Sequence, residues 1–282
     1  MKHVVLLGNP VAHSLSPVMQ NAAFQVSGLD WCYEAIETEA EELEPALHRM
    51  RAEAWPGANV TLPLKEAVVP LLDQLDPSAI EVSAVNTIVN DGGRLVGHNT
   101  DSLGFVRDLG AHWQVPADGV AVILGAGGAA RAVASGLARQ GLEIVLIARS
   151  PARARLLVDA IQRQHAAKAS ALPWERQSFQ DIPRECVLIV NATPLGMAPA
   201  DQDTPWPPEL PLPPGAAVYD LVYTPQETRF QRYARRSGLQ SIAGGGMLLE
   251  QGALSYERWT GRRAPRRQMR AALRRALERL HV

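Results

Sequence analysis

A glycine-rich segment near the middle of the chain has the residue types and spacing to bind a nucleotide phosphate. It reads Gly-Ala-Gly-Gly-Ala-Ala over residues 125–130, between an apolar strand candidate and a helix candidate. Gly125 permits a tight turn, Gly127 has no side chain to obstruct a pyrophosphate, and the small Ala130 lets the helix approach the strand. Backbone N–H groups at the start of that helix can bind phosphate oxygens, whereas the alternative interpretation is a tight turn without a ligand. The pattern predicts a dinucleotide site formed by Gly125, Ala126, Gly127, Gly128 and Ala129.

The end of the following strand candidate indicates which dinucleotide this site prefers. An NAD site has an Asp or Glu about 20 residues downstream, which accepts a hydrogen bond from the ribose 2′-hydroxyl. Here residues 147–150 read Ile-Ala-Arg-Ser, and Arg153 follows one turn later. A guanidinium suits a 2′-phosphate through charge-assisted hydrogen bonds, although both arginines could also be solvated surface residues. The sequence therefore favours NADP(H), with Arg149, Ser150 and Arg153 as its 2′-phosphate site.

Polar segments in the first hundred residues could complete a redox reaction. They lie at residues 13–17, 59–65, 86–87 and 99–101. Hydride transfer to a carbonyl carbon leaves an oxyanion, so such an enzyme needs a positioned proton donor. Taken singly, each segment has an ordinary interpretation: Lys65 as a surface lysine, Ser16 as a helix cap and Asn86 as a turn former. His98 is interpreted as a hydrogen-bonded structural histidine.

Eight short motifs follow one another along the chain. They are GNPVAHSLSP at 8–17, NVTLPLK at 59–65, AVNT at 84–87, NTD at 99–101, GAGGA at 125–129, NATPLGM at 191–197, DLVY at 220–223 and GMLLEQ at 246–251. Taken together, and in this order, they resemble the shikimate dehydrogenase family over nearly the whole chain. The resemblance implies reversible, NADPH-dependent reduction of 3-dehydroshikimate to shikimate, a step of chorismate and aromatic amino-acid biosynthesis.

The resemblance also implies roles for individual residues. Lys65 would move the proton, and Asp101 would orient its ammonium group and stabilise its charge. Ser14 and Ser16 would bind the substrate carboxylate. The remaining polar groups of the substrate would be bound by Thr61, Asn86, Tyr223 and Gln251. The residues implied beside the nicotinamide and its ribose are Asn191, Thr193, Leu221, Gly244 and Met247.

Alternatives remain open at this point. A dehydrogenase for quinate or an amino analogue of shikimate, linked to NAD, would share the same motifs. A nucleotide-sensing protein without turnover would be expected to lack Lys65 or Asp101, and both are present. RNA binding through the arginine-rich C-terminal segment is a third alternative. There, however, one apolar stripe indicates a packed helix with solvated arginines, and it consists of Met269, Leu273, Leu277 and Leu280.

These residues must be positioned by alternating strands and helices. The predicted strands are 3–7, 33–37, 57–61, 84–89, 120–124, 143–148, 187–191 and 217–222, with a hairpin joining 87–90 to 94–97. The predicted helices are 17–27 (capped by Ser16), 39–54, 66–72, 129–140, 151–167, 226–236 and the entire segment from Gly244 onward. The proline-rich residues 199–215 are predicted to form a surface loop. The alternation in the middle of the chain predicts a mostly parallel sheet.

The amino-acid composition limits the classes of protein to which this chain can belong. Apolar residues make up 46% and charged residues 20%, which indicates a folded globular chain rather than a disordered one. Lys and Arg (28) nearly balance Asp and Glu (29), so no overall attraction to nucleic acid or membranes is expected. Two cysteines provide neither a disulfide framework nor zinc spacing, and no run reaches the ~18–20 apolar residues of a membrane span. We expect a cytoplasmic enzyme with a small-molecule substrate and no metal, and the sequence leaves a homodimer open.

At 282 residues, the chain is long enough for two domains of ~100–150 residues each. The predicted fold class is α/β, with an N-terminal α/β substrate domain and a doubly wound, Rossmann-type NADP-binding domain. Residues 1–102 with 244–282 are assigned to the substrate domain, and residues 103–243 to the NADP-binding domain.

Overall fold

The computed structural model describes residues 1–279, in which strands and helices alternate as predicted. Its strands are β1 (Lys2–Gly8), β2 (Trp31–Glu37), β3 (Gly57–Val60), β4 (Gln74–Leu75), β5 (Thr87–Asp91), β6 (Arg94–His98), β7 (Val120–Leu124), β8 (Glu143–Ala148), β9 (Ala169–Pro173), β10 (Cys186–Asn191), β11 (Ala217–Asp220) and β12 (Ser241–Ala243). Its helices are α1 (Ser16–Val26), α2 (Leu43–Ala52), α3 (Pro77–Val82), α4 (Asp101–His112), α5 (Gly128–Arg139), α6 (Pro151–His165), α7 (Arg176–Gln180), α8 (Arg229–Arg236), α9 (Gly245–Thr260) and α10 (Arg266–Arg279). Leu280 of the predicted apolar stripe, and the end of the segment assigned as 244–282, lie outside the described residues.

The described chain divides into two compact units. The first contains residues 1–104 and the segment from Leu248 onward, and the second contains residues 105–247. The boundaries thus fall at 104/105 and 247/248, where the sequence assignment has 102/103 and 243/244. Each boundary lies inside a helix, α4 or α9, so no loop marks it in the sequence.

A mixed sheet forms the centre of the first unit, with the strand order β2-β1-β3-β5-β6-β4. Strand β1 is parallel to both β2 and β3, whereas β5 is antiparallel to β3 and β6. The β5–β6 pair is the predicted hairpin, which Gly92 and Gly93 close with φ angles of +61° and +98°. Side chains of β1, β3 and α2, among them Val5 and Leu47, pack into one buried core.

The second unit contains an all-parallel sheet with the order β9-β8-β7-β10-β11-β12. Numbered from its first strand, β7, this order is 3-2-1-4-5-6, which is the doubly wound arrangement. Every residue of β7 is buried, as its continuous apolar run predicts for a central parallel strand. The order of the strands reverses between β7 and β10, and in such sheets the ligand binds at the carboxyl ends of the strands at that point.

Several local predictions were wrong. Residues 66–72 form turns with a short 3₁₀ segment at Val69–Leu71 rather than a helix, because Pro70 cannot donate the helical hydrogen bond. Ser16 is the first residue of α1 instead of its cap, and no side chain caps that helix. The loop at 199–215 contains no regular element, but it is not confined to the surface, because Trp206 is 0% exposed.

The C-terminal segment is helical with one break, because Gly261 has a φ of +65° and separates α9 from α10. Met269 and Leu273 are buried, as the apolar stripe predicts, and Leu277 is half-buried. Arg266 pairs with Glu250 and Glu257, and the other arginines of α10 are exposed. Among residues 1–279, no helix combines the length and the apolar character needed to cross a membrane.

Candidate active site

Lys65 and Asp101 form a buried ion pair in the first unit. Nζ of Lys65 lies 2.6 Å from Oδ2 of Asp101, and the two side chains are 15% and 5% exposed. The backbone carbonyl of Lys65 accepts the N–H of Val85, which fastens the turn after β3 to the chain before β5. Asp101 is the first residue of α4, where the helix dipole favours an anion. The fold thus brings together two groups that the sequence separates by 36 positions.

Asn86 holds the second oxygen of the Asp101 carboxylate. Its Nδ2 donates to Oδ1 of Asp101 and to Oγ1 of Thr100, both over 2.9 Å, and its Oδ1 accepts the Thr100 N–H over 2.8 Å. The side chain of Asn99 accepts the N–H of Asp101 over 3.1 Å. One carboxylate oxygen therefore faces the ammonium and the other faces an amide, so the carboxylate has a single orientation.

Gln251 on α9 joins this cluster. Nδ2 of Asn86 lies 3.5 Å from Oε1 of Gln251, and Nε2 of Gln251 donates to the carbonyl of Leu248 over 2.9 Å. Helices α4 and α9 approach closely here, because a Cβ on Gly104 would lie 2.7 Å from the backbone nitrogen of Gln251. A glycine one turn after Asp101 is therefore needed to bring Gln251 to the pair.

The other predicted substrate residues occupy neighbouring loops or the second unit. A Cβ on Gly8 would lie 2.4 Å from Cγ2 of Thr61, so that glycine lets the chain after β1 pack against Thr61. Oγ of Ser14 accepts the N–H of Ser16 over 3.2 Å at the start of α1, where Ser16 is buried. Tyr223 follows β11 in the second unit, whereas the other five residues belong to the first.

A buried polar network beneath the pair was not predicted. Nδ2 of Asn59 donates to the Asn86 carbonyl over 2.8 Å, and Oδ1 of Asn59 accepts the Tyr33 hydroxyl over 2.8 Å. The hydroxyls of Thr87 and Ser255 lie 2.8 Å apart in the same network. A polar Asn within the otherwise apolar run of β3 is the sequence signal that could have indicated it.

His98 is buried beside Asp76, and its structural role stays a prediction. Its Nδ1 lies 3.4 Å from Oδ2 of Asp76, whose other oxygen caps α3 by accepting the N–H of Ser78. The Ser78 hydroxyl oxygen accepts the Asn99 N–H over 3.1 Å, so this group supports the chain that leads to Asp101. Burial lowers the pKa of His98, although the Asp76 carboxylate opposes that shift, so the imidazole is neutral at pH 7.

The glycine turn of the second unit has the geometry that a pyrophosphate needs. Gly125 has a φ of +116°, and its N–H donates to the Ile147 carbonyl over 2.9 Å. Gly127 precedes α5, and a Cβ placed there would meet no atom within 4 Å. Ala130 is 0% exposed against the sheet. The space beside Gly127 is therefore open at the N-terminus of a 12-residue helix, which fits a phosphate group.

Arg149, Ser150 and Arg153 stand together where β8 meets α6. Both arginines are exposed, and Ser150 caps α6 by accepting the Arg153 N–H over 3.4 Å. This arrangement presents two guanidinium groups and a helix N-terminus to solvent, which suits a phosphate better than a ribose hydroxyl.

The predicted nicotinamide residues cluster after β10, β11 and β12. The carbonyl of Asn191 accepts the N–H of Leu221 over 3.0 Å. Gly244 packs on the same turn, because a Cβ there would lie 2.2 Å from the Leu221 carbonyl oxygen. Thr193 is half-buried and Met247 is 8% exposed, but the Asn191 side chain is 0% exposed.

Known families match separate segments of the chain. Residues 6–88 match the shikimate dehydrogenase substrate binding domain, and residues 244–274 match the shikimate 5′-dehydrogenase C-terminal domain. Residues 119–180, which contain the glycine turn, match the family described as NADP oxidoreductase coenzyme F420-dependent.

Similar proteins span nearly the whole chain. The shikimate dehydrogenase (NADP(+)) of Moorella thermoacetica is 46% identical over 97% of this chain and 93% of its own. Shikimate 5-dehydrogenase from Thermus thermophilus, solved with NADP(H) and shikimate, has a TM-score of 0.85 and 42% identity over 98% of this chain and 100% of its own. Quinate dehydrogenase from Corynebacterium glutamicum, solved with NAD, has a TM-score of 0.86 and 29% identity over 97% of this chain and 99% of its own. The predicted fold class, an α/β substrate domain with a Rossmann-type dinucleotide-binding domain, is confirmed.

Proposed function

Because this chain belongs to the shikimate dehydrogenase family, we propose that it catalyses the reversible, NADPH-dependent reduction of 3-dehydroshikimate to shikimate. The observation that carries the proposal is the buried pair in which 2.6 Å separates Nζ of Lys65 from Oδ2 of Asp101. An oxidoreductase of this kind needs one positioned proton donor, and this pair supports Lys65 in that role. The reaction is a step of chorismate and aromatic amino-acid biosynthesis.

The proton chemistry of the reaction belongs to Lys65. NADPH, when bound, supplies the hydride that reduces the keto carbon of the substrate. The Lys65 ammonium donates a proton to the carbonyl oxygen as that oxygen becomes an alkoxide, and the secondary alcohol results. In the oxidation direction the Lys65 amine accepts the hydroxyl proton. Asp101 compensates the ammonium charge and, because Asn86 holds its second oxygen, keeps Nζ pointing in one direction.

The residues that would bind the substrate directly in this proposal are Ser14, Ser16, Thr61, Gln251 and Tyr223. The Asn86 amide donates to Asp101 and Thr100, so Asn86 would contribute by holding Asp101. The Ser14 hydroxyl oxygen already accepts the Ser16 N–H, which leaves its own proton for a carboxylate oxygen of the substrate. The adjacent start of α1 favours the same negative charge. Nε2 of Gln251 donates one N–H to Leu248 and keeps a second for a substrate hydroxyl. A site that satisfies hydroxyls in this way discriminates against analogues that lack them.

The cofactor residues in this proposal fall into three groups. Gly125, Ala126, Gly127, Gly128 and Ala129 would hold the pyrophosphate, and Arg149, Ser150 and Arg153 would hold the 2′-phosphate. Asn191, Thr193, Leu221, Gly244 and Met247 would surround the nicotinamide and its ribose. The cofactor domain in this proposal is the second unit, which the sequence assigns to residues 103–243. The substrate domain is the first unit, which the sequence assigns to residues 1–102 with 244–282.

A quinate dehydrogenase linked to NAD is the alternative, favoured by the similarity to the Corynebacterium glutamicum enzyme. Initial rates of the purified protein with shikimate or quinate, each with NADP⁺ or NAD⁺, decide between them. We expect the highest kcat/KM for shikimate with NADP⁺. A preference for quinate with NAD⁺ would refute the proposal.

Two further points belong to this proposal. Both cysteines, Cys32 and Cys186, are free, which is typical of proteins in a reducing compartment and supports a cytoplasmic location. A homodimer is the assembly we propose, and sedimentation velocity at several protein concentrations would distinguish it from a monomer.

A further inference from the structure

Asn191 and Asp220 end two neighbouring parallel strands, β10 and β11, directly opposite each other. Both side chains are 0% exposed, and Nδ2 of Asn191 donates to Oδ1 of Asp220 over 2.8 Å. The carboxyl ends of these strands are the edge at which a doubly wound sheet binds a dinucleotide. A buried amide and a buried carboxylate thus lie beneath the turns that would contact the cofactor.

All the hydrogen-bonding capacity of the Asn191 side chain is used inside the protein. Its Oδ1 accepts both the N–H and the hydroxyl of Thr193, over 3.0 and 2.7 Å. Its Nδ2 donates its second N–H to the Leu195 carbonyl over 3.1 Å. An amide has two donors and two acceptor positions, so none remains for a ligand. Asn191 therefore acts on the cofactor site by shaping the turn at 191–195.

Asp220 connects that turn to two other parts of the second unit. Its Oδ1 accepts the Val222 N–H over 3.1 Å in addition to the Asn191 amide. Its Oδ2 accepts the hydroxyl of Thr228, the cap of α8, over 2.7 Å. Within the described part of the chain, no cation pairs with this carboxylate. Three neutral donors from separate segments therefore converge on one buried charge.

A buried, uncompensated carboxylate is an unfavourable choice for stability alone. Burial raises the pKa of Asp220 to about 6, although the hydrogen bonds from Thr228, Val222 and Asn191 act in the opposite direction. At pH 7 and above the group is ionised in a site that disfavours its charge. Residues that cost stability in this way are typical of functional sites.

We propose that Asp220 is a positioning residue for the cofactor: through Asn191 and the Val222 N–H, its carboxylate holds the turns 191–195 and 220–223 in one relative arrangement. Those turns carry Thr193, Leu221 and Tyr223, so the inference rests on the proposed function for the ligand that they meet. Replacing the carboxylate should weaken cofactor binding without weakening the fold.

The test is the Asp220→Asn variant, which keeps the shape of the side chain and removes its charge. We expect the dissociation constant for NADP⁺, measured by titration calorimetry without substrate, to rise about tenfold, because hydrogen bonds to a charged group are replaced by weaker ones. The melting temperature of the ligand-free protein at pH 8 should stay the same or rise. Asp159→Asn, at an exposed Asp on α6, is the matched control and should change none of these.

A double-mutant cycle tests whether Asp220 acts through Asn191. Asn191→Ala alone should weaken NADP⁺ binding, and adding Asp220→Asn to it should weaken binding little further. Additive effects would show two independent roles and overturn the proposal. Should Asp220→Asn not fold, Thr228→Val and Thr228→Ser take its place. The first removes a hydrogen bond to the carboxylate and should raise the NADP⁺ dissociation constant, whereas the second keeps it and should not.

Two other results would overturn the inference. One is an Asp220→Asn variant that binds NADP⁺ as the wild type does. The other is a melting temperature that falls together with the affinity, because that pattern indicates a purely structural carboxylate. Failure of the proposed function has a different signature, in which the wild type binds NADP⁺ but does not oxidise shikimate.

Discussion

The two units each contain a buried carboxylate that accepts from a buried asparagine, yet the two carboxylates differ in charge compensation. Asp101 faces the Lys65 ammonium at 2.6 Å and receives the Asn86 amide on its other oxygen. Asp220 receives the Asn191 amide, the Val222 N–H and the Thr228 hydroxyl, all of which are neutral.

This difference separates two uses of a buried charge. In the proposed reaction, the Asp101 carboxylate offsets a cation that itself changes protonation state, so its partner does the chemistry. The Asp220 carboxylate has no such partner among the described residues, and its hydrogen bonds reach outward to two turns and a helix cap. Burying a charge costs several kcal/mol unless the charge is paired. The Lys65 ammonium offsets this cost for Asp101, but no cation among the described residues does so for Asp220, which therefore needs a functional reason.

Removing the amine of the first pair should have the largest effect. Lys65→Ala should lower kcat by ~10²–10⁴-fold, because the alkoxide loses its proton donor, while the dissociation constant for shikimate changes little. Lys168→Ala, at an exposed lysine, is the control. Stopped-flow rates of NADPH oxidation measure the effect. A loss of less than tenfold would mean that another group moves the proton.

Neutralising Asp101 should destabilise the protein. Asp101→Asn leaves the ammonium of Lys65, which is only 15% exposed, without a counter-charge. Removing one partner of a fully buried pair costs ~3–5 kcal/mol, and the residual exposure of Lys65 places the expected loss near the lower end. Urea unfolding at pH 7 measures it. An unchanged free energy of unfolding would show that solvent already compensates the ammonium.

Neutralising Asp220 should raise the free energy of unfolding, whereas neutralising Asp101 should lower it. The size of the increase should depend on pH. The folded-state pKa is about 6 and the ordinary value is 3.8, so between these pH values the folded protein keeps a proton that the unfolded chain has released. As pH rises through this window, the wild type loses about 3 kcal/mol of stability at this site, and Asp220→Asn loses none there. The free energy of unfolding of the variant, relative to the wild type, should therefore rise up to about pH 6 and then level off. A difference that is independent of pH would contradict the assignment.

Changing the predicted 2′-phosphate site should weaken the binding of NADPH but not that of NADH. Arg149→Ala should raise the KM for NADPH about tenfold and leave that for NADH nearly unchanged, because only NADPH carries the extra phosphate. Arg155→Ala, at an exposed arginine on α6, is the control. Equal effects on both nucleotides would remove Arg149 from this role.

Much of the second unit could be predicted from local patterns. The apolar run of β7, the glycines after it and the helix α5 are neighbours in sequence, so their spacing alone indicates a strand, a turn and a helix.

The segment at 66–72 in the first unit misled the prediction because its apolar spacing is helical, whereas Pro70 and its surroundings allow only turns. The burial of Trp206 could not be predicted from local patterns either, because a proline-rich loop can insert one side chain into the core without any periodic signal.

The hydrogen-bond network under the Lys65–Asp101 pair could not be predicted, for a different reason. Asn59 donates to the Ser255 hydroxyl over 3.1 Å across 196 positions of sequence, and single polar residues within apolar strands look alike whatever they contact. The motifs indicated Lys65 and Asp101, but not the residues that hold them.

The amino-acid sequence by itself determined the class of reaction, the cofactor and the two residues of the pair, because these depend on residue types in short motifs. Tertiary structure decided that Asp220 carries an uncompensated charge and that Asn191 has no free hydrogen-bonding group. Both properties depend on desolvation and on partners from other strands and helices, and neither can be read from neighbours along the chain.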